Sequence, residues 1–165
     1  MKKSCILLSI SLFVTIVLYP LLHETGHIIP LLILGGHIKE ITLFPASVLC
    51  NVSNLSDNQQ IWIAFSGFFL PILISLIPLN SIIILRFANT MLKVLNIYYV
   101  LLNIFYLFCF IQSRPLNNTD ITIILYSDPK NIPVILLSHI LLLVTLIHSL
   151  SKNNTLSALL TFYSK

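Results

Sequence analysis

His23-Glu24-Thr25-Gly26-His27 lies inside an apolar run covering residues 4–34. Glu24 is the one formally charged residue between Lys3 and Lys39. A charge at mid-depth in hydrocarbon costs roughly 2.5–3.5 kcal/mol even on lenient scales, so such a residue marks a functional site by default. The run also exceeds the roughly 20 residues that cross a bilayer. It therefore reads as a membrane helix that tilts, kinks or breaks. Pro20 and Pro30 flank the motif. Each removes a backbone donor and crowds the preceding turn, although such prolines also serve simply to bend a helix for packing.

The rest of the chain has the same character. Of 165 residues, 57% are hydrophobic and 8% charged, against about 25% charged in soluble domains. The fold class expected is an all-α polytopic membrane protein, with about four transmembrane helices and a short β-hairpin after the first. The length allows one membrane-embedded domain over residues 1–165, with a core at about 4–126 and an extra helix at about 132–150. The net charge of +4 is scattered, with no basic run of the kind nucleic acid requires. Cys5, Cys50 and Cys109 are dispersed, which argues against a disulfide framework or a cysteine metal site. Met1-Lys2-Lys3 and the following apolar run imitate a signal peptide. No small-residue cleavage site follows, so an uncleaved first span is expected.

Gly35-Gly36 should end the first helix. Residues 37–44 are rich in β-branched and aromatic types. Pro45-Ala46-Ser47 reads as a turn and 48–52 as a returning strand. Residues 51–60 read as a loop and 61–85 as the second span. Ala64-Phe65-Ser66-Gly67 within that span offers small residues for close helix approach. Residues 86–93 read as a polar connection, 94–111 as the third span, 121–126 as a half-span or re-entrant piece, and 132–150 as the last span. With the N-terminus inside, Lys2, Lys3, Arg86, Lys93, Lys152 and Lys165 fall on the inner side. Lys39, Arg114 and Lys130 fall outside. This bias favours a multi-pass cell-membrane protein with both termini cytoplasmic.

HExxH on a helix places two histidines four residues apart on one face, where both reach one Zn2+ ion. The adjacent Glu24 is then placed to act as general base. A catalytic zinc usually takes three protein ligands. The third cannot be the position six beyond His27, which is Ile33. Glu40 lies past the glycine break, Asp57 in a polar loop, and Asp128 in a turn before Pro129. His139 and His148 are nine apart on the last span. Asp120 remains, at the start of an apolar run, where Asp also commonly serves as a helix N-cap. Asn96 and Asn103, seven apart on the third span, share a face. They could line the site or orient substrate, or simply make interhelical hydrogen bonds.

The sequence resembles the site-2 protease family of intramembrane zinc metalloproteases. The likeness is carried first by His23-Glu24-Thr25-Gly26-His27 followed by an apolar turn or two, Gly35-Gly36 and a β segment. Ala64-Phe65-Ser66-Gly67 looks like the small-residue motif of the family's next helix, with Phe68 where proline is usual. Residues 115–120 look like the end of an NxxPxPxxDG pattern: Pro115 and Asp120 match, while Gln112, Asn117 and Ile121 depart from it. The resemblance implies zinc held by His23, His27 and Asp120, with Glu24 as catalytic base. The implied activity is peptide-bond hydrolysis in or near a transmembrane segment of a protein or membrane-associated peptide substrate. The hairpin at 38–52 could present an edge strand to that segment. The departures around Asp120 motivate a second reading, a catalytically impaired relative acting as a binding or immunity partner. A third reading is a transporter or channel subunit using His23, Glu24 and His27 as a proton or cation relay.

Overall fold

The computed structural model describes residues 2–44, 46–79, 82–112, 120, 124–125, 130 and 132–152. Residues 2–33 form one helical rod with a defect in it. Helices α1 (Lys2–Phe13) and α2 (Tyr19–Ile33) are joined by a π-helical segment at Val14–Leu18, where the Tyr19 N–H donates to the Val14 carbonyl. Pro20 supplies the reason. It has no N–H for the carbonyl four residues back, and its ring crowds that oxygen. Widening the preceding turn relieves both problems at once. The irregularity thus falls upstream of the HExxH motif, which sits in regular helix, and Pro30 is carried inside α2.

The end of α2 follows the glycine expectation. Gly35 has φ +82°. The Gly36 N–H donates to Leu31 O at 2.9 Å and the Gly35 N–H to Leu32 O at 3.2 Å. These are the paired 6→1 and 5→2 bonds of a Schellman cap. Strands β1 (His37–Leu43) and β2 (Ala46–Asn51) then pair antiparallel, His37 opposite Asn51 and Leu43 opposite Ala46, with a register shift between Ile38 and Glu40. The returning strand begins two residues earlier than expected, because Ala46 and Ser47 already pair with Leu43 and Thr42.

Helix α3 (Asp57–Leu76) also starts early. Ser56 and Gln59 form a reciprocal capping box, so residues 57–60, the end of the stretch expected as loop, are the first turn of a helix. The helix stops at Leu76. Ile77, which precedes Pro78, is extended at ψ 126°, as proline imposes on its predecessor. The second span is therefore shorter than the 61–85 expected. Residues 86–93 are not a connection. They belong to α4 (Ile83–Ile111), where Arg86, Asn89, Lys93 and Asn96 recur at three- and four-residue spacing. The NH2 groups of two of them find acceptors inside the protein: Asn89 Nδ2 donates to Ile77 O at 2.8 Å, and Asn96 Nδ2 to Pro71 O at 3.1 Å. The last described helix is α5 (Ile132–Ser151).

The protein is mostly helical, with one two-stranded sheet. Four stretches among the described residues are long and apolar enough to cross a membrane: Ser4–Ile33, Asp57–Leu76, Ile83–Ile111 and Ile132–Ser151. Large apolar side chains such as Leu8, Phe13, Ile33, Leu73, Phe105 and Val134 face outward, a surface compatible with a multi-pass membrane protein. Inside, α2 packs most extensively on α3, and α4 packs on both α3 and α5. Phe68, Ile72, Val100 and Leu146 join α3, α4 and α5 in one buried cluster. Ile124 and Leu125, from the expected half-span, are buried against Ala64, Leu107 and Ile135. The rest of 121–126 lies outside the described residues.

Candidate metal centre and cavity

Two glycines bring the key side chains together. A Cβ on Gly26 would lie 2.5 Å from the Ser66 carbonyl oxygen and 2.9 Å from Gly67 Cα. A Cβ on Gly67 would collide with the His27 imidazole and lie 3.0 Å from His23 Cε1. Helices α2 and α3 therefore touch backbone to backbone, and the Gly67 surface is the floor under both histidines. This is the close approach expected of the small residues in 64–67.

His23 and His27, one turn apart on α2, meet edge to face with ring centroids 4.7 Å apart. Their Nε2 atoms are separated by 3.2 Å. Asp120 Oδ2 lies 3.1 Å from His23 Nε2 and 3.3 Å from His27 Nε2. Three donor atoms, two of them 93 or more residues from the third along the chain, thus form a nearly equilateral triangle. The cluster could hold a metal ion. His27 is the more enclosed imidazole, its side chain 11% exposed against 25% for His23. Its Nδ1 lies 2.7 Å from the Ile63 carbonyl oxygen. That oxygen only accepts, so Nδ1 carries a proton and Nε2 is the ring nitrogen turned to the cluster. His23 Nδ1 is buried with no partner among the described residues.

Of the residues expected at the site, His23, His27 and Asp120 come together, and Glu24 lines the same cavity. Val48 of β2 lines the same cavity as Glu24. The surroundings of Asp120 at 113–119 and 121–123, including Pro115, Asn117 and Ile121, lie outside the described residues, as does Asp128. The N-cap alternative for Asp120 therefore falls outside them too. Asn96 and Asn103 of α4 divide the roles open to them. Asn96 reaches across to α3, while Asn103 lines the cavity.

The cavity has a volume of about 570 Å3. His23, His27 and Asp120 with Glu24 form one side, Ser47, Val48 and Cys50 of β2 another, and α4 the far wall. Tyr19 of α2 stacks on Tyr99 of α4, with centroids 4.6 Å apart and planes 7° from parallel, which ties that wall to the motif helix. Burial, and after it the Glu24 carboxylate, push the Cys50 thiol pKa up. Ile63 acts through its backbone, so no residue type announced it. Tyr19 could have been found, because it precedes His23 by four residues on the same helix face.

In comparison with known proteins, no family model matches this chain, and no curated protein or solved structure matches it.

Proposed function

We propose that the protein is an intramembrane zinc metalloprotease of the site-2 protease kind, hydrolysing a peptide bond in or near the transmembrane segment of its substrate. The observation that carries this reading is the convergence of His23, His27 and Asp120 beside Glu24 in one cavity. A tetrahedral zinc with arms of about 2.0–2.1 Å sets its donors about 3.3 Å apart. The 3.1, 3.2 and 3.3 Å separations here are compatible with that. Two neutral imidazoles and one carboxylate suit zinc but also a non-haem iron, and it is the adjacent Glu24 that favours the hydrolytic metal.

His23 Nε2, His27 Nε2 and Asp120 Oδ2 would hold the ion. Bound zinc would supply Lewis acidity, lowering the pKa of water and polarising a peptide carbonyl. The chain's own residues account for the remaining steps. Glu24 takes the proton of the attacking water and passes it to the leaving amine. The hairpin borders the cavity through β2, so an unwound substrate segment can lie extended alongside it and pair by backbone hydrogen bonds.

The test is metal analysis joined to a cleavage assay in detergent. About one zinc per chain is expected. Glu24→Gln should retain it while losing cleavage by about 10²–10⁴-fold. Protein purified without bound metal that takes up no zinc would refute the proposal, as would unimpaired cleavage by the Glu24 variant. One observation favours the second reading, a protease-like partner that binds without turnover. Metal-binding histidines almost always donate their other ring nitrogen to a partner, and His23 Nδ1 has none among the described residues. Wild-type protein that binds zinc but cleaves no membrane-embedded peptide would decide for that reading.

A further inference from the structure

The far wall of the cavity belongs to α4. Tyr99, Leu102, Asn103 and Tyr106 line it, at spacings that place them on one helix face. Among these four, Asn103 carries the amide, and a second helix holds that amide. Asn103 Nδ2 lies 3.4 Å from His139 Nε2 on α5. The donor and acceptor roles are forced. His139 Nδ1 lies 2.8 Å from the Ile135 carbonyl oxygen, which only accepts, so the imidazole proton is on Nδ1. Nε2 is left as an acceptor and Asn103 must turn its NH2 toward it, which settles the amide orientation. His139 is 1% exposed and packs against the rings of Phe65 and Phe68. A buried, fully paired histidine behind a cavity-lining asparagine makes a rigid support for one atom, Asn103 Oδ1. That oxygen has no hydrogen-bond partner among the described residues.

We propose that Asn103 is a substrate-positioning residue: its Oδ1 accepts a backbone N–H from an extended peptide lying in the cavity, and His139 locks the amide for that contact. This rests on the peptidase reading of the site. An extended peptide has N–H and C=O groups along both edges. Laid beside β2, it turns one edge to the hairpin and the other to α4. An uncharged acceptor set among Tyr99, Leu102 and Tyr106 suits a backbone amide flanked by apolar side chains, the chemistry of an unwound membrane segment. It gives nothing to a substrate without amides.

The test measures binding of two zinc-directed probes to the zinc-loaded full chain in detergent. One is acetohydroxamate; the other is a peptidyl hydroxamate with several backbone amides. Asn103→Leu should weaken the peptidyl probe about three- to tenfold, the loss of one neutral hydrogen bond, and leave acetohydroxamate affinity and zinc content unchanged. Asn103→Ala, which leaves space in place of an apolar branch, should do the same and serves if the leucine variant folds poorly. His139→Leu should reproduce the selective loss. His139→Gln, whose amide oxygen can accept from Asn103, should recover part of it. Equal affinity of wild type and both Asn103 variants for the peptidyl probe would overturn the inference. Equal weakening of both probes would overturn it as well, since that marks damage to the metal cluster. A wild type that binds neither probe would overturn the peptidase reading beneath it.

Discussion

Replacing Gly26 by alanine tests whether the cluster of His23, His27 and Asp120 depends on the backbone contact between α2 and α3. The added Cβ would stand 2.5 Å from Ser66 O, with Gly67 Cα and O both at 2.9 Å. All three obstacles are backbone atoms, so no side chain can swing away. Ordinary contact begins at 3.4 Å, and the helices must separate by about 0.9 Å to restore it. His27 belongs to α2, and its Nδ1 partner, Ile63 O at 2.7 Å, belongs to α3. A shift of that size lengthens this bond to about 3.6 Å, outside hydrogen-bond range. His27 then loses the contact that fixes its ring and its tautomer. The expected results are a stability loss of about 1–3 kcal/mol from overpacking and a fall in zinc affinity of about 10- to 100-fold. Affinity is read by competition with a chromophoric chelator, and stability by thermal unfolding in the same detergent. Gly35→Ala is the control. Its Cβ would meet nothing within 4 Å, but its φ of +82° disfavours a side chain, so it should lower stability by about 1–2 kcal/mol and leave zinc affinity alone. A Gly26 variant with wild-type zinc affinity and wild-type thermal stability would refute the account of how the site is built.

Asp120→Ala should remove one of three donors and lower zinc occupancy after dialysis at buffered zinc. Retention of zinc equal to wild type would exclude Asp120 as a ligand. Cys50 alkylation offers a readout independent of metal or cleavage. A thiol pKa raised by burial and by Glu24 leaves less thiolate at a given pH. In a chain with Cys5 and Cys109 replaced by serine, Cys50 should react slowly at neutral pH and accelerate only above the ordinary thiol range. Glu24→Gln, which removes one of the two causes, should speed the reaction at pH 8. Alkylation as fast as at the exposed Cys5 and indifferent to Glu24 would contradict this environment.

Much of the architecture is legible along the chain because it depends on local chemistry. Apolar runs of sufficient length must become helices, since their backbone groups find no water in hydrocarbon. HExxH places two imidazoles on one helix face by the 3.6-residue period alone. Gly35-Gly36 stops α2 because a positive φ suits glycine. The element boundaries that differ from expectation have local signals of their own. Ser56 and Gln59 spell a capping box, and Pro78 makes Ile77 extended. The polar residues from Arg86 to Asn96 keep a helical spacing that their charge obscured.

What the tertiary structure alone decided is where separate segments meet. Asp120 had several acidic rivals in sequence, and its place beside His23 and His27 depends on packing between elements far apart in the chain. The partner of His27 is the carbonyl of Ile63, a group that every residue carries and that no sequence pattern distinguishes. Asn96 and Asn103 look alike on α4. One crosses to Pro71 and the other lines the cavity with His139 behind it, because different helices stand opposite each. Periodicity determines which face a residue occupies; only the docking of the helices determines what that face meets.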